Sequence, residues 1–244
     1  MYATFFIVNQ QVEERANFFQ MKKQLIFQDW GLIDYQQAWE RQETLFEKVI
    51  AEKKAGKQTE NYLIFCEHPH VYTLGKSGDQ NNMLLNSTEL QSTNATFIHT
   101  NRGGDITYHG TGQIVGYPII DLENFSLGLK QYVFVLECAI IELLALYGIL
   151  STQLAGATGV WIDAQNARAR KICAIGIRSS HFVTMHGFAL NVNTDLTYFK
   201  HINPCGFTDK SVTSMQKELG QNIDIQKVKN DLKYIFEKKY FVKK

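Results

Sequence analysis

Apolar residues recur along this chain with two different periods, and the switches between them lay out the expected elements. From Asp34 to Lys54 the positions Ala38, Leu45, Phe46, Val49 and Ile50 return at helical intervals among charged neighbours, which predicts an amphipathic helix with one buried face. Gly56 follows as its stop. Tyr62 to Cys66 is a short apolar run of strand type, and EHPHVYTLGKSG after it reads as a loop punctuated by Pro69, Gly75 and Gly78. Phe97 to Thr100 and the segment GQIVGYPIID read as strands, with RGGD as a turn and ITYHGTG lying between them. Leu129 to Tyr147 is helical and nearly apolar all round, so it is expected to lie buried against a sheet, with Gly148 closing it.

Beyond that helix the period changes to that of strands. GVWID, RKICAIGIRSS and FVTMHGFALNVN form a predicted three-strand meander with turns at DAQNAR and around Ser180, and HINPCGF follows as a loop. Ile225 to Tyr240 closes the domain as a helix with Val228, Leu232, Ile235 and Phe236 on one face and lysines on the other. Helices before, between and after a run of strands predict an α+β sandwich with a mixed, mostly antiparallel sheet flanked by helices. A doubly wound fold would need regular alternation, which the run from Gly159 to Asn193 lacks.

Length and composition narrow the class. A chain of 244 residues suits one domain with a single core. Residues 1–20 read as an N-terminal extension, and the domain is expected over 21–244, because LIFQDWG shortly after Met21 resembles a first strand. With 25 Lys plus Arg against 24 Asp plus Glu, the chain lacks the basic excess that a nucleic-acid surface needs. No apolar run approaches a membrane helix, since the longest, around Ile140 to Leu146, is interrupted by Glu142. The start MYATFFIVNQ lacks the basic region and cleavage site of a secretory signal. A cytoplasmic protein is expected.

The candidate chemistry centres on thiols. Cys66, Cys138, Cys173 and Cys205 are far apart with no CxxC pair, which argues against a zinc site or a disulfide scaffold. Cys66 at the end of an apolar strand and Cys138 inside the apolar helix read as core residues. Cys205 is different, because Pro204 and Gly206 hold it in a loop where a thiol can meet a substrate. Lys171 could serve as a base for a thiol when partly desolvated. Cys173 is then a rival nucleophile, since residues two apart on a strand share a face, with Cβ atoms roughly 7 Å apart. His109, among glycines in TYHGTG, reads as a contact residue able to donate to an acyl carbonyl, and His186 before Gly187 is a further candidate for the same cleft. His68 and His70 form an HxH pair without supporting carboxylates or thiols, so no metal site is expected. Gly103 and Gly104 after Arg102 are only a weak signal for phosphate binding, because neither GxxxxGK[ST] nor GxGxxG occurs.

Taken together, EHPHVYTLG, RGGDITYHGTGQIVGYPI, KICAIGIR, MHGFALNVN and INPCG, in this order, resemble the lipoyl(octanoyl) transferase family over about Leu25 to Leu219. The resemblance implies a single domain like that of biotin and lipoate protein ligases. It also implies an acyltransferase that moves octanoyl from octanoyl-acyl carrier protein to a lysine of lipoyl domains, those of 2-oxoacid dehydrogenase complexes and of the glycine cleavage H protein. By the same resemblance Cys205 forms the acyl-thioester and Lys171 lowers its pKa, which favours Cys205 over Cys173. Arg102, Gly103, Gly104, Asp105, Ile106, Thr107, Tyr108 and His109, with Ala174, Ile175, Gly176, Gly187, Phe188 and Ala189, would line the acyl and pantetheine pocket. Thr111 departs from the family, which commonly has proline between the two glycines there. Thioester-to-thioester exchange is nearly isoenergetic and amide formation is downhill, so no ATP, metal or organic cofactor is expected. The alternatives are an ATP-dependent lipoate or biotin ligase, which needs no thiol at position 205, and a non-catalytic acyl-carrier binding module.

Overall fold

The computed structural model describes residues 25–203 and 211–241. The expected N-terminal extension and the nucleophile candidate Cys205 therefore lie outside the described residues. β1 (Leu25–Leu32) leads into α1 (Tyr35–Lys54), β2 (Asn61–Glu67), β3 (Val71–Leu74), the short α2 (Ser87–Ser92), β4 (Thr96–His99), β5 (Ile106–His109) and β6 (Gln113–Ile119). The long α3 (Leu129–Leu146) precedes β7 (Thr152–Leu154), β8 (Ala157–Ile162), β9 (Arg170–Ser180) and β10 (Val183–Asn191), and a 3-10 turn covers Leu196–His201. β11 (Ser211–Val212), α4 (Met215–Leu219) and α5 (Ile225–Ile235) complete the chain, with a π turn over Phe236–Tyr240.

The large sheet runs β1-β2-β6-β10-β9-β8-β7, with β11 added on β9. β1 is parallel to β2 and β11 to β9, and the remaining pairs are antiparallel. A second sheet of order β4-β3-β5 stands beside it. The expected meander is present as β8-β9-β10. β3 corrects the sequence reading, which placed Val71 to Leu74 in a loop. Its partners lie far along the chain, parallel to β4 and antiparallel to β5, so local punctuation by Pro69 and Gly75 hid it.

β2 shows why the large sheet needs helices on both faces. Leu63 and Phe65 join Leu136, Ile140 and Leu144 of α3 and Val228 and Leu232 of α5 on one side. Tyr62, Ile64 and Cys66 join Ala38, Phe46 and Val49 of α1 on the other. Each such side chain withdrawn from water contributes about 1.5–3 kcal/mol. Asp34 caps α1 by accepting from the Gln37 amide at 3.1 Å, worth about 1 kcal/mol.

The closing helix departs from expectation at one lysine. Lys229 is not on the solvent face with its neighbours but is buried, with Nζ 3.1 Å from Asp29 and 3.6 Å from Glu67. Two carboxylates from the parallel pair β1 and β2 offset the cost of taking that charge out of water. Glu67 Oε2 in turn accepts from the Gly112 amide at 2.9 Å, which ties α5 to the turn between β5 and β6.

Candidate active site

A cavity of about 430 Å3 opens beside β5, β6, β9 and β10, within the roughly 300–1,000 Å3 of small-molecule pockets. One wall comes from the β9–β10 pairing, in which Gly176 sits opposite Gly187, Ile175 opposite Phe188 and Ala174 opposite Ala189. Another is the 102–105 turn, docked on β9 by the Gly103 amide donating to Ile177 O at 2.8 Å. A Cβ at Gly176 would come 2.7 Å from Gly103 O, so glycine there lets the turn reach the strand. Arg102 is buried and braces the turn, donating through Nη2 to Thr73 O at 2.6 Å and Oγ1 at 2.9 Å, and through Nη1 to its neighbour Gly103 O.

The candidate residues thus meet at one place. Arg102, Gly103, Gly104, Asp105, Ile106, Thr107 and His109 line the cavity together with Ala174, Ile175, Gly176, Gly187, Phe188, Ala189 and Lys171. The exception is Tyr108, which is absent from the cavity wall. Its ring stacks on Tyr198 at 4.8 Å within the small-sheet cluster, and its hydroxyl meets His70 Nδ1 at 2.7 Å. Strand alternation explains the correction, because Tyr108 and its neighbour His109 leave β5 on opposite sides.

His109 ends β5 and is buried, not a loop contact. Gln113 Nε2 already donates to Tyr108 O and Asn191 Oδ1, so Gln113 Oε1 is the acceptor for His109 Nδ1–H at 2.8 Å. That assignment leaves Nε2 to accept from Thr73 Oγ1 at 3.3 Å. Burial, with nearby His68 next in effect, pushes its pKa down to about 3 and keeps the imidazole neutral. His186 also lines the cavity, held by Asn101 Oδ1 at 2.6 Å from its Nε2. Burial first, then the Arg102 and Arg178 charges, push its pKa down to about 3 as well. His68 of the HxH pair lies against the Ile33 carbonyl and the Tyr117 hydroxyl, each at 2.7 Å. Among the described residues no cluster of histidine, cysteine and carboxylates could hold a metal ion.

Lys171 lies near the start of β9. β8 and β9 carry a bulge there, since Val160 pairs with Cys173 while Trp161 pairs with Lys171, leaving Ile172 as the extra residue. The bulge overturns the expectation that Lys171 and Cys173 share a face. Ile172 and Cys173 both enter the main core with no exposed surface. Burial pushes the Cys173 thiol pKa up, which disfavours a thiolate. Lys171 Nζ instead lies 4.7 Å from the Trp161 ring centroid. The chain re-enters the described structure after the Cys205 segment at Ser211, and Val212 pairs in parallel with Lys171 itself.

Sequence reasoning missed several wall residues, including Tyr35, Gln113, Tyr117 and Asn191. Tyr35, at the start of α1, stacks on His109 with centroids 5.6 Å apart, and burial pushes its pKa up to about 12. Asn191 closes the MHGFALN segment, so its signal was present in a block already singled out.

A family model described as the lipoyl protein ligase A/B catalytic domain matches residues 34–237. The chain is 59% identical over 204 residues to an octanoyltransferase of Bacteroides fragilis, covering 84% of this chain and 92% of the relative. It is 55% identical over 211 residues to an octanoyltransferase of Parabacteroides distasonis, covering 86% and 96%. Among solved structures, a bi-partite lipoate protein ligase of Thermoplasma acidophilum is similar in fold, with a TM-score of 0.65 at 14% identity over 90% of this chain and 84% of that one. A lipoate-protein ligase A bound with ATP gives a TM-score of 0.62 at 13% identity, over 87% and 83%. Among the described residues no helix is long and apolar enough to cross a membrane.

Proposed function

The chain belongs to the family of lipoyl protein ligase A/B catalytic domains and is an acyltransferase, and from that premise we propose that it transfers octanoyl from octanoyl-acyl carrier protein to a lysine of lipoyl domains through a thioester on Cys205. The observation that carries this reading is the placement of Lys171. It stands on the wall of a cavity sized for a small molecule, on the strand that receives the chain directly after the Cys205 segment.

The reaction divides into two halves that return every proton. The Cys205 thiolate attacks the carrier-bound thioester carbonyl, and a tetrahedral intermediate forms. Its C–S bond to pantetheine breaks, and the departing thiolate takes a proton from the Lys171 ammonium. The acceptor lysine amine then attacks the Cys205 thioester and gives a proton to the now neutral Lys171, which acts as general base. The Cys205 thiolate leaves, and thiolate and ammonium are restored. His109 and His186 stay neutral throughout and serve as fixed dipoles, not as proton carriers.

No step draws on ATP, a metal or an organic cofactor. Lipoyl domains of 2-oxoacid dehydrogenase complexes and of the glycine cleavage H protein are the proposed acceptors, in the cytoplasm. The ATP-dependent alternative draws on solved lipoate ligases alike in fold at 12–14% identity, whereas the 51–59% identical relatives are octanoyltransferases.

Intact-mass spectrometry after mixing the protein with octanoyl-acyl carrier protein and no acceptor tests the reading. A hydroxylamine-labile octanoyl adduct is expected on the unmodified chain and on Cys173→Ser. Full transfer by Cys205→Ser would overturn the thioester route.

A further inference from the structure

Trp161 belongs to none of the motifs that point to the acyl-transfer site, yet its surroundings are organised around Lys171. The indole is fully buried in β8, and its Nε1 donates to Ala157 O at 2.8 Å, which fixes the ring plane. The extra residue Ile172 in β9 sets Trp161 directly across from Lys171, so that the ammonium lies over the indole face at 4.7 Å from its centroid. A bulge that re-aims a side chain in this way is a common device beside active sites.

The lysine stem is guided as well. Gly159 has φ +122°, a conformation that side chains rarely adopt, and a Cβ there would lie 2.5 Å from Cys173 O and 3.5 Å from Lys171 Cε. Its amide is held by Glu137 Oε1 at 2.9 Å, and the other Glu137 oxygen accepts from Gln153 Nε2 at 2.8 Å. The buried carboxylate on α3 thereby fixes the stretch of β8 that packs against the stem.

We propose that Trp161 is a positioning residue for the acyl transfer, holding Lys171 beside the cavity and favouring its charged ammonium through the indole face. This rests on the role of Lys171 given above. A ring quadrupole attracts a cation and not the neutral amine, so Trp161 raises the pH at which Lys171 changes from acid to base. Several charged groups near Lys171 are seen engaged with other partners. Glu137 lies behind Gly159 with both oxygens engaged. Arg170 is paired with Asp163 and Glu218. Val212 and Thr213 on the β11 side are uncharged, Cys173 is a buried thiol, and Cys205 lies outside the described residues.

Fluorotryptophans keep the size of the indole while withdrawing density from its face, which separates electrostatics from packing. The chain contains three tryptophans, Trp30, Trp39 and Trp161, so uniform incorporation of mono-, di- and trifluorotryptophan is compared in the unmodified chain and in Trp161→Phe and Trp30→Phe/Trp39→Phe chains. The readout is the pH profile of single-turnover amide formation from pre-octanoylated enzyme. Its acidic limb should move stepwise to lower pH, by about one unit over the series, a tenfold change in the ionisation equilibrium. The movement should persist in Trp30→Phe/Trp39→Phe and vanish in Trp161→Phe. An unmoved limb in the unmodified chain, or equal movement in Trp161→Phe, overturns the proposal. Lys171→Ala, run in parallel, should abolish the limb. Its persistence there would overturn the base role of Lys171 itself, whereas its loss together with an unmoved fluorine series would remove Trp161 alone.

Discussion

Gly187 on β10 lies directly opposite Gly176 on β9, and each has backbone where a side chain would begin: Gly116 O at 2.2 Å from a Cβ on Gly187, and Gly103 O at 2.7 Å from one on Gly176. The first contact joins neighbouring strands of the large sheet, and the second joins that sheet to the 102–105 turn. The cavity wall is therefore drawn tight at the level of the backbone.

Gly187→Ala should accordingly lower stability by about 1–3 kcal/mol, the usual cost of forcing a methyl into filled space. Thermal denaturation measures the loss. Single-turnover acylation at a temperature where the variant is fully folded should still be slowed, because β6 and β10 must separate at the cavity wall. Unchanged melting and unchanged acylation would contradict the close approach.

Lys229→Met should cost about 3–5 kcal/mol, because it leaves the Asp29 and Glu67 carboxylates without the cation that offsets them. Adding Glu67→Gln removes one of the two charges while keeping an oxygen for the Gly112 amide. Urea unfolding of the double variant should recover part of the loss, which a purely steric defect would not.

The buried histidines predict a specific acid sensitivity. His68 is pushed down to about 4, and His109 and His186 to about 3, from an ordinary value of 6.5. Between those values the unfolded chain binds more protons than the folded one, so stability rises with pH. The contribution is fully present above about 6.5 and is lost as pH falls toward 4 and then 3, at up to about 1.4 kcal/mol per pH unit for each histidine. The urea midpoint measured from pH 7.5 to 4.5 should fall steeply, and His109→Gln should make that slope shallower.

Lys171→Ala should lower transfer by roughly 10²–10⁴, the span of general acid and base catalysis. Lys171→Arg keeps a charge that cannot be surrendered. Iodoacetamide labelling of Cys205 at low pH should survive in the arginine variant, while amide formation from the pre-acylated enzyme stays slow. Normal amide formation in both variants would remove Lys171 from the mechanism.

Much of this architecture was legible in the sequence where the signal is local. The helical period of Ala38, Phe46 and Val49 located α1, and the meander followed from its turns. β3 was hidden because its pairing is non-local, and Lys229 was misplaced because periodicity cannot see the acids on β1 and β2. The bulge at Ile172 was equally invisible, since register is a property of two strands together, and with it went the face assigned to Cys173. The motif residues converged on one cavity apart from Tyr108. The role of Cys205 rests on family resemblance, because it lies outside the described residues.

The extra residue in β9 also bears on which genetic changes this enzyme can survive. Substituting Ile172 by another aliphatic side chain exchanges one core filler for another and should be tolerated. Losing the codon altogether would keep Val160 opposite Cys173 and Trp161 opposite Lys171, but it would flatten the local bend and twist that the bulge adds and delete a side chain with no exposed surface from the main core. Shortening at this position should therefore be felt through the core, at about the 2–5 kcal/mol of a large-to-small change there, while the facing order of β8 and β9 outlasts it.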